Sequence, residues 1–264
     1  MEDAMTERVD PALGAPEAVP AHTSSLLAAI DGPAGSGKSS VARTAAERLG
    51  FGILDTGAAY RALAWAALRT GIDLDDAAAV ENLLDLWRYE ITLRGAQRVV
   101  VRVPAFDGLP SDEIDVTAEI REHSVSGQVS RVSKHPAVRE RLNAMFRTIV
   151  AESGLPGVVI EGRDITTVVA PDAPVRILLT ARPEVRAQRR AAELPGLSPE
   201  QVLQDLIARD AKDALVVDFL NPAPGVTLVD TSELDFEQSV AAVTDIIRGA
   251  QAHQASARPE EETA

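Results

Sequence analysis

The chain contains no cysteine and only three lysines among its 264 residues. Without cysteine it can form no disulfide framework, no thiolate zinc site and no cysteine nucleophile, a usage that suits a reducing cytoplasm. Its four histidines are scattered and make no metal motif. No apolar run approaches the roughly 20 residues of a membrane span. The N-terminal MEDAMTERVDPALGAPEAVPAHTSS lacks a basic start followed by an apolar stretch, so a soluble cytoplasmic protein is expected. The formal charge of −14 argues against broad nucleic-acid binding, which needs clustered Lys and Arg. Neither nucleic acid nor membrane is therefore expected as a partner, and no long uncovered apolar helix argues against a monomer. An anionic ligand would need a local pocket of arginines.

What is present fits one large domain, or a core domain with an insert: 45% of the residues are hydrophobic. Residues 1–24 and 251–264, rich in Ala, Pro, Glu and Asp, read as disordered tails around a domain over 25–250. Within it, short apolar runs at 26–30, 51–54, 157–162, 175–180 and 226–230 read as strands buried on both faces. Helical patterns follow at 38–49, 57–70, 137–152, 183–193 and 235–248. After Pro136, Val138, Leu142, Met145, Phe146 and Ile149 form one helix face. The alternation predicts an α/β fold with a parallel sheet. One segment departs from it: YEITLRGAQRVVVRV, residues 89–103, reads as a hairpin, followed by FDGLP and a helix over about 117–132. A hairpin inside a βα chain predicts an inserted subdomain.

The stretch AAIDGPAGSGKSSVARTAAERLG, residues 28–50, contains one of the three lysines. Gly32, Gly37, Lys38 and Ser39 satisfy G-x-x-x-x-G-K-[ST] between an apolar strand and an amphipathic helix. In such a loop the glycines let backbone N–H groups close around phosphate oxygens, and the helix N-terminus turns its positive dipole end to the same anion. Lys38 reaches the β/γ-phosphates and Ser39 is a ligand for Mg²⁺. The loop, Gly32, Pro33, Ala34, Gly35, Ser36, Gly37, Lys38, Ser39 and Ser40, therefore predicts a nucleoside triphosphate with Mg²⁺. A guanine-reading N-K-x-D is absent, and VSGQVS (125–130) lacks the doubled glycine of an ABC-type signature. A small-molecule kinase remains, with an acceptor gripped by arginines and small hydroxyls.

IDGPAGSGKSSVA, LDTGAAYRALA, DVTAEIR, HPAVRERL, EGRDITTVVAPDAPVRILLTA and RDAKD follow one another as in the bacterial cytidylate kinases, at similar spacings, from about Leu26 to Arg248. Shikimate and adenylate kinases share the loop but not the other motifs. The resemblance implies a three-layer P-loop kinase fold with a monophosphate-binding insert at about 75–132 and a helical lid at about 196–222. It implies ATP-dependent phosphorylation of CMP and dCMP in pyrimidine metabolism. A kinase for another monophosphate such as UMP, or a weakly active nucleotide-binding regulator, is the alternative. Carried over by motif, Thr56, Ser130, Arg139, Arg163, Asp164, Arg209 and Asp213 contact CMP. Lys38, Arg163 and Arg209 serve transfer, and Ser39 the metal. Thr56 is also a candidate N-cap, and Arg163 with Asp164 a candidate buried ion pair. Arg186, Arg189 and Arg190 are candidates for further charge or for a solvated face.

Three positions depart from the family pattern. Val216 stands where a second lid arginine is usual, with Phe219 at the place of a proline, and Thr166 replaces a common glycine, so the backbone there needs no positive φ. Loss of one charge-assisted contact is worth about 1.5–3 kcal/mol, roughly 10- to 100-fold, which Lys212 or another arginine is expected to offset in part. Val216→Arg tests this: an unchanged CMP Michaelis constant and turnover show that the missing arginine does not limit the reaction.

Overall fold

The computed structural model describes residues 25–103, 113–193, 198–215 and 217–257. The expected tail at 1–24, the FDGLP stretch and Val216 lie outside the described residues.

Strand β1 (Leu26–Asp31) runs into helix α1 (Lys38–Leu49), then β2 (Gly52–Asp55) and α2 (Thr56–Arg69). Helix α3 (Ala77–Leu86) leads to a small antiparallel sheet, β3 (Arg88–Ile91), β4 (Val99–Arg102) and β5 (Glu113–Asp115). Short helices α4 (His123–Ser126) and α5 (Val129–Ser133) precede the long α6 (Pro136–Ala151). Then follow β6 (Gly157–Gly162), β7 (Val175–Thr180), α7 (Pro183–Glu193), α8 (Pro199–Ala214), β8 (Thr227–Asp230) and α9 (Phe236–Ser256).

The main sheet has the order β2-β6-β1-β7-β8 and every pairing in it is parallel. Successive strand residues face opposite layers. Ala28, Ile30, Ile53 and Val159 pack under α1 and α9, on Val41, Ala45, Val243 and Ile247. Ala29, Leu54, Val158 and Ile160 pack under α2, α3 and α6, on Leu63, Leu84, Leu142 and Phe146. The two layers explain the uniformly apolar strands β1, β2, β6 and β7; the run at 226–230, expected to be buried on both faces, forms edge strand β8, which buries Val229 and leaves Leu228 exposed.

The hairpin is present at β3 and β4, and β5 adds a third strand. It is tied to the core: Ile53 N–H donates to the Leu93 carbonyl (2.8 Å) beside edge strand β2, and Arg94 donates to the carbonyl of Gly50. Helix α3 was not expected from the sequence. Its signal is Asp76, whose carboxylate accepts from Ala79 N–H, followed by buried Val80, Leu83 and Leu84 at helical spacing.

Two expectations need correction. The helix over 117–132 is broken into a 3₁₀ turn (Glu119–Arg121), α4 and α5, because Glu122 is extended (ψ 147°) and re-aims the chain so that Ile120, Val125 and Val132 are all buried. At the other end, α9 passes Gly249 and the expected tail boundary and runs to Ser256. Its last turns carry local bonds, His253 Nδ1 to the Gly249 carbonyl and Ser256 Oγ to the Ala252 carbonyl. Residues 258–264 lie outside the described set. Among the described residues no helix is long and apolar enough to cross a membrane.

Candidate active site

The loop between β1 and α1 is shaped by two left-handed glycines, Gly35 (φ 74°) and Gly37 (φ 84°). Gly32 is required for a different reason: a Cβ there would lie 2.1 Å from the Leu179 carbonyl oxygen. The first bond into α1 runs from Val41 N–H to the Gly37 carbonyl (2.9 Å), and Gly37 supplies no side-chain cap. The amides of Lys38, Ser39 and Ser40 thus have no helical acceptor and are donors available to an anion.

The loop's carbonyls are held from outside. Arg163 Nη1 donates to Gly32 O (2.6 Å), Arg186 Nη1 to Ala34 O (2.9 Å) and Arg189 Nη1 to Ser36 O (3.3 Å). Arg186 is only 5% exposed and pairs with Asp210 of α8 at 2.5 Å, while Asp210 also accepts from Ala34 N–H. Arg186 and Arg189 therefore form neither a solvated face nor part of the cleft wall.

Beside the loop opens a cavity of about 450 Å³. Lys38 and Ser39 reach it from the loop, Thr56, Tyr60 and Arg61 from α2, and Ser130, Ser133 and Lys134 from α5 or its end. Arg139 enters from α6, Arg163 and Asp164 from the end of β6, and Arg209, Lys212 and Asp213 from α8. Together with Arg131, eight basic side chains face four carboxylates, in a chain whose net charge is −14. The local excess of positive charge is what binding of phosphates requires.

Most of the cleft's guanidinium groups are braced by carboxylates: Arg61 on Asp55 (2.8 Å), Arg139 on Asp164 (2.5 Å) and Arg163 on Asp213 (2.9 Å). Arg209 lies 3.9 Å from the same Asp213. The anticipated Arg163–Asp164 ion pair is thus replaced, because neighbours at a strand end project to different sides and each finds its partner on another helix. Arg131 and Lys134 are tied to Asp75 (2.5 Å each), which fastens α5 with its Ser130 to the α2–α3 loop.

Thr56 lines the cavity but does not cap α2. Asp55 does, accepting from Ala58 N–H (3.0 Å), while the Thr56 hydroxyl donates to the Glu161 carbonyl (2.8 Å). Thr166 donates through both N–H (2.8 Å) and Oγ1 (2.6 Å) to buried Asp31, inside a single π-helical turn, Ile165–Val169. Of the loop residues, Gly32, Pro33, Ala34 and Ser36 are buried in its own structure, and Ser40 points away to solvent. Phe219, beyond α8, has its ring centroid 4.7 Å from the Arg163 guanidinium carbon.

Glu161, Asp55 and Arg61 were missed by the sequence reading. Asp55 and Arg61 stand one before and five after Thr56 in LDTGAAYRALA, and Glu161 opens EGRD. Glu161 accepts from Ser39 Oγ (2.6 Å) and lies 3.8 Å from Lys38 Nζ. Burial pushes its carboxyl above the usual range, against the pull of Lys38, and burial likewise lowers Lys38 against the pull of Glu161. Burial raises Asp164 too, with Arg139 opposing. At Asp55 burial is outweighed by Arg61 and the Ala58 amide, and the net shift is downward. Among the described residues no cluster of three His, Cys, Asp or Glu side chains forms a protein-only metal cage.

The cytidylate kinase family profile matches residues 28–249. The cytidylate kinase of Cutibacterium acnes is 44% identical over 231 residues, covering 85% of this chain and 97% of that protein. That of Rhodococcus opacus is 45% identical over 223 residues, covering 83% and 93%. That of Streptomyces avermitilis is 39% identical over 236 residues, covering 89% and 96%.

Breaking the buried Arg186–Asp210 pair leaves an uncompensated charge under the loop, so Asp210→Ala is expected to lose about 3–5 kcal/mol in urea unfolding. A loss below about 1 kcal/mol removes Asp210 as the loop's anchor. For Glu161 the raised folded-state pKa means that the folded protein binds the extra proton. Its contribution to stability therefore falls as pH rises from about 4.3 through the raised value. The unfolding free energy of Glu161→Gln, relative to wild type, is expected to rise across that window; a flat or falling difference contradicts the shift.

Proposed function

The chain belongs to the cytidylate kinase family, and from that membership we propose that it transfers the γ-phosphoryl group of ATP to CMP and to dCMP. The observation that carries the reading is the location of a basic, carboxylate-braced cleft against the N-terminus of α1, in an otherwise acidic chain. Phosphoryl transfer asks the protein mainly for positioning and charge neutralisation, and both needs are met by such a cleft.

In this reading the loop amides and Lys38 hold the β- and γ-phosphates. The acceptor lies on the opposite wall, its phosphate facing Arg139 and Arg163, its sugar hydroxyls facing Asp164, and its base facing Thr56 and Ser130. Arg61, braced on Asp55, is added to the acceptor side. Lys38, Arg163 and Arg209 spread the charge that develops as the acceptor oxygen attacks in line, while Asp213 holds the two arginines in register. No strong general base is needed, because a phosphomonoester with second pKa of about 6 is already largely ionised at neutral pH. Helix α8 carries Arg209, Lys212 and Asp213 over the cleft, and its closure excludes water that would otherwise take the phosphoryl group.

Mg²⁺ bound with ATP would neutralise phosphate charge and orient the transferred group. The residues present fit it: Ser39 and Glu161 offer oxygens 2.6 Å apart beside the loop, and Mg²⁺ completes its shell with phosphates and water rather than a protein-only cage.

Steady-state ADP release from ATP and Mg²⁺ with CMP, dCMP, UMP, AMP or no acceptor tests the assignment. Strong turnover with CMP and dCMP, weak turnover with the others and little without acceptor are expected. Lys38→Ala should lower the rate by about 10²–10³-fold. ATP binding without acceptor-dependent release would make the chain a nucleotide-binding regulator instead.

A further inference from the structure

Phe219 is an anomaly among the large buried side chains. It is 1% exposed, as Phe51 and Phe146 nearly are, yet those two lie inside the apolar layers and Phe219 belongs to none of the three apolar clusters of the described residues. Over its ring lies a guanidinium, with Arg163 Cζ 4.7 Å from the ring centroid.

Arg163 is shared between the phosphate loop and α8. One terminal nitrogen donates to the Gly32 carbonyl (2.6 Å) at the start of the phosphate loop, and the other pairs with Asp213 (2.9 Å) on α8. These two bonds lie at the edge of the guanidinium plane and fix its rotation within that plane. They do not fix its tilt. A ring lying under the guanidinium carbon can supply that restraint, and a planar cation is what such a contact orients.

We propose that Phe219 is the positioning residue for Arg163: its ring sets the tilt of the guanidinium, so that the remaining N–H groups face the cleft at the angle the transferring phosphoryl group needs. The inference rests on the phosphoryl-transfer reading above and adds to it a residue that does not itself line the cleft. The ring also ties the segment after α8 to the loop, since Gly32, Asp213 and Phe219 all meet on one side chain. Lid position and guanidinium orientation become a single variable.

Phe219→Leu keeps an apolar side chain and removes the ring. Exposed to desolvated cation–π contacts span about 2- to 30-fold in rate equivalents. Phe219→Leu is therefore expected to lower kcat with CMP within that range and to raise the CMP Michaelis constant, with little change in that for ATP. In an Arg163→Lys background, where no plane remains to be tilted, the same change should add nothing. A second readout does not depend on turnover: the Arg163 Nε–H resonance in ¹⁵N-labelled protein should carry a ring-current shift that Phe219→Leu abolishes.

Wild-type kinetics in Phe219→Leu overturn the proposal, and so does an equal loss in both backgrounds, which would mark Phe219 as filling space only. If the wild-type protein shows no CMP-dependent turnover, the kinase reading fails. The resonance then decides the stack alone, and an unshifted Arg163 signal overturns it.

Discussion

Three arginines gripping the carbonyl oxygens of a glycine-rich loop are the interaction on which the rest of this structure depends. A loop that offers amides to an anion must dispose of its carbonyls elsewhere, because every buried backbone group needs a partner. Gly32, Ala34 and Ser36 hand theirs to Arg163, Arg186 and Arg189 respectively. Each arginine is rooted in a different place: the end of β6, the first turns of α7, and the middle of that helix. The loop's shape is consequently a property of the sheet and of α7 and α8 together. Asp210 completes the arrangement by compensating the most buried of the three.

The same economy governs the cleft. A concentration of cations in an apolar surround would be costly, and the structure offsets it by giving arginines carboxylates whose own burial is expensive. The price is visible in Glu161 and Asp164, both pushed upward by burial while their cationic neighbours pull the other way. Asp55 goes down instead, because Arg61 and a backbone amide together outweigh its burial. Pairs of this kind hold guanidinium groups in place before any phosphate arrives, which removes reorganisation from the reaction itself.

Much of this was legible beforehand, and the reasons are local. A glycine–lysine–serine loop has one mechanical use, so β1, α1 and their ligand class followed from a dozen residues. Uniformly apolar runs marked strands covered on both faces, and a period of two flanking a glycine marked the hairpin at β3 and β4. Most of the readings that needed correction turn on partners distant in sequence, the local cap of α2 and the longer end of α9 excepted. Arg139 and Asp164 are 25 residues apart, and Arg186 reaches Ala34 across 152. The broken helix at 119–133 shows the same limit, since its breaks serve to bury Ile120, Val125 and Val132 under a helix whose placement the local pattern does not contain.

By itself, then, the sequence determined the phosphate loop, the α/β alternation, the insert and the motifs that flank the cleft, because those depend on backbone freedom and on hydrophobic periodicity over a few turns. Only the tertiary structure decided which carboxylate braces which arginine, that the Thr56 hydroxyl goes to the Glu161 carbonyl, and that Arg186 and Arg189 face the loop rather than water. It also decided that Phe219 is buried against a cation rather than in a core. The physical reason is common to all of these: a charge or a lone pair is satisfied by whatever comes within about 3 Å of it, and that distance is set by the packing of the sheet and its helices rather than by order along the chain.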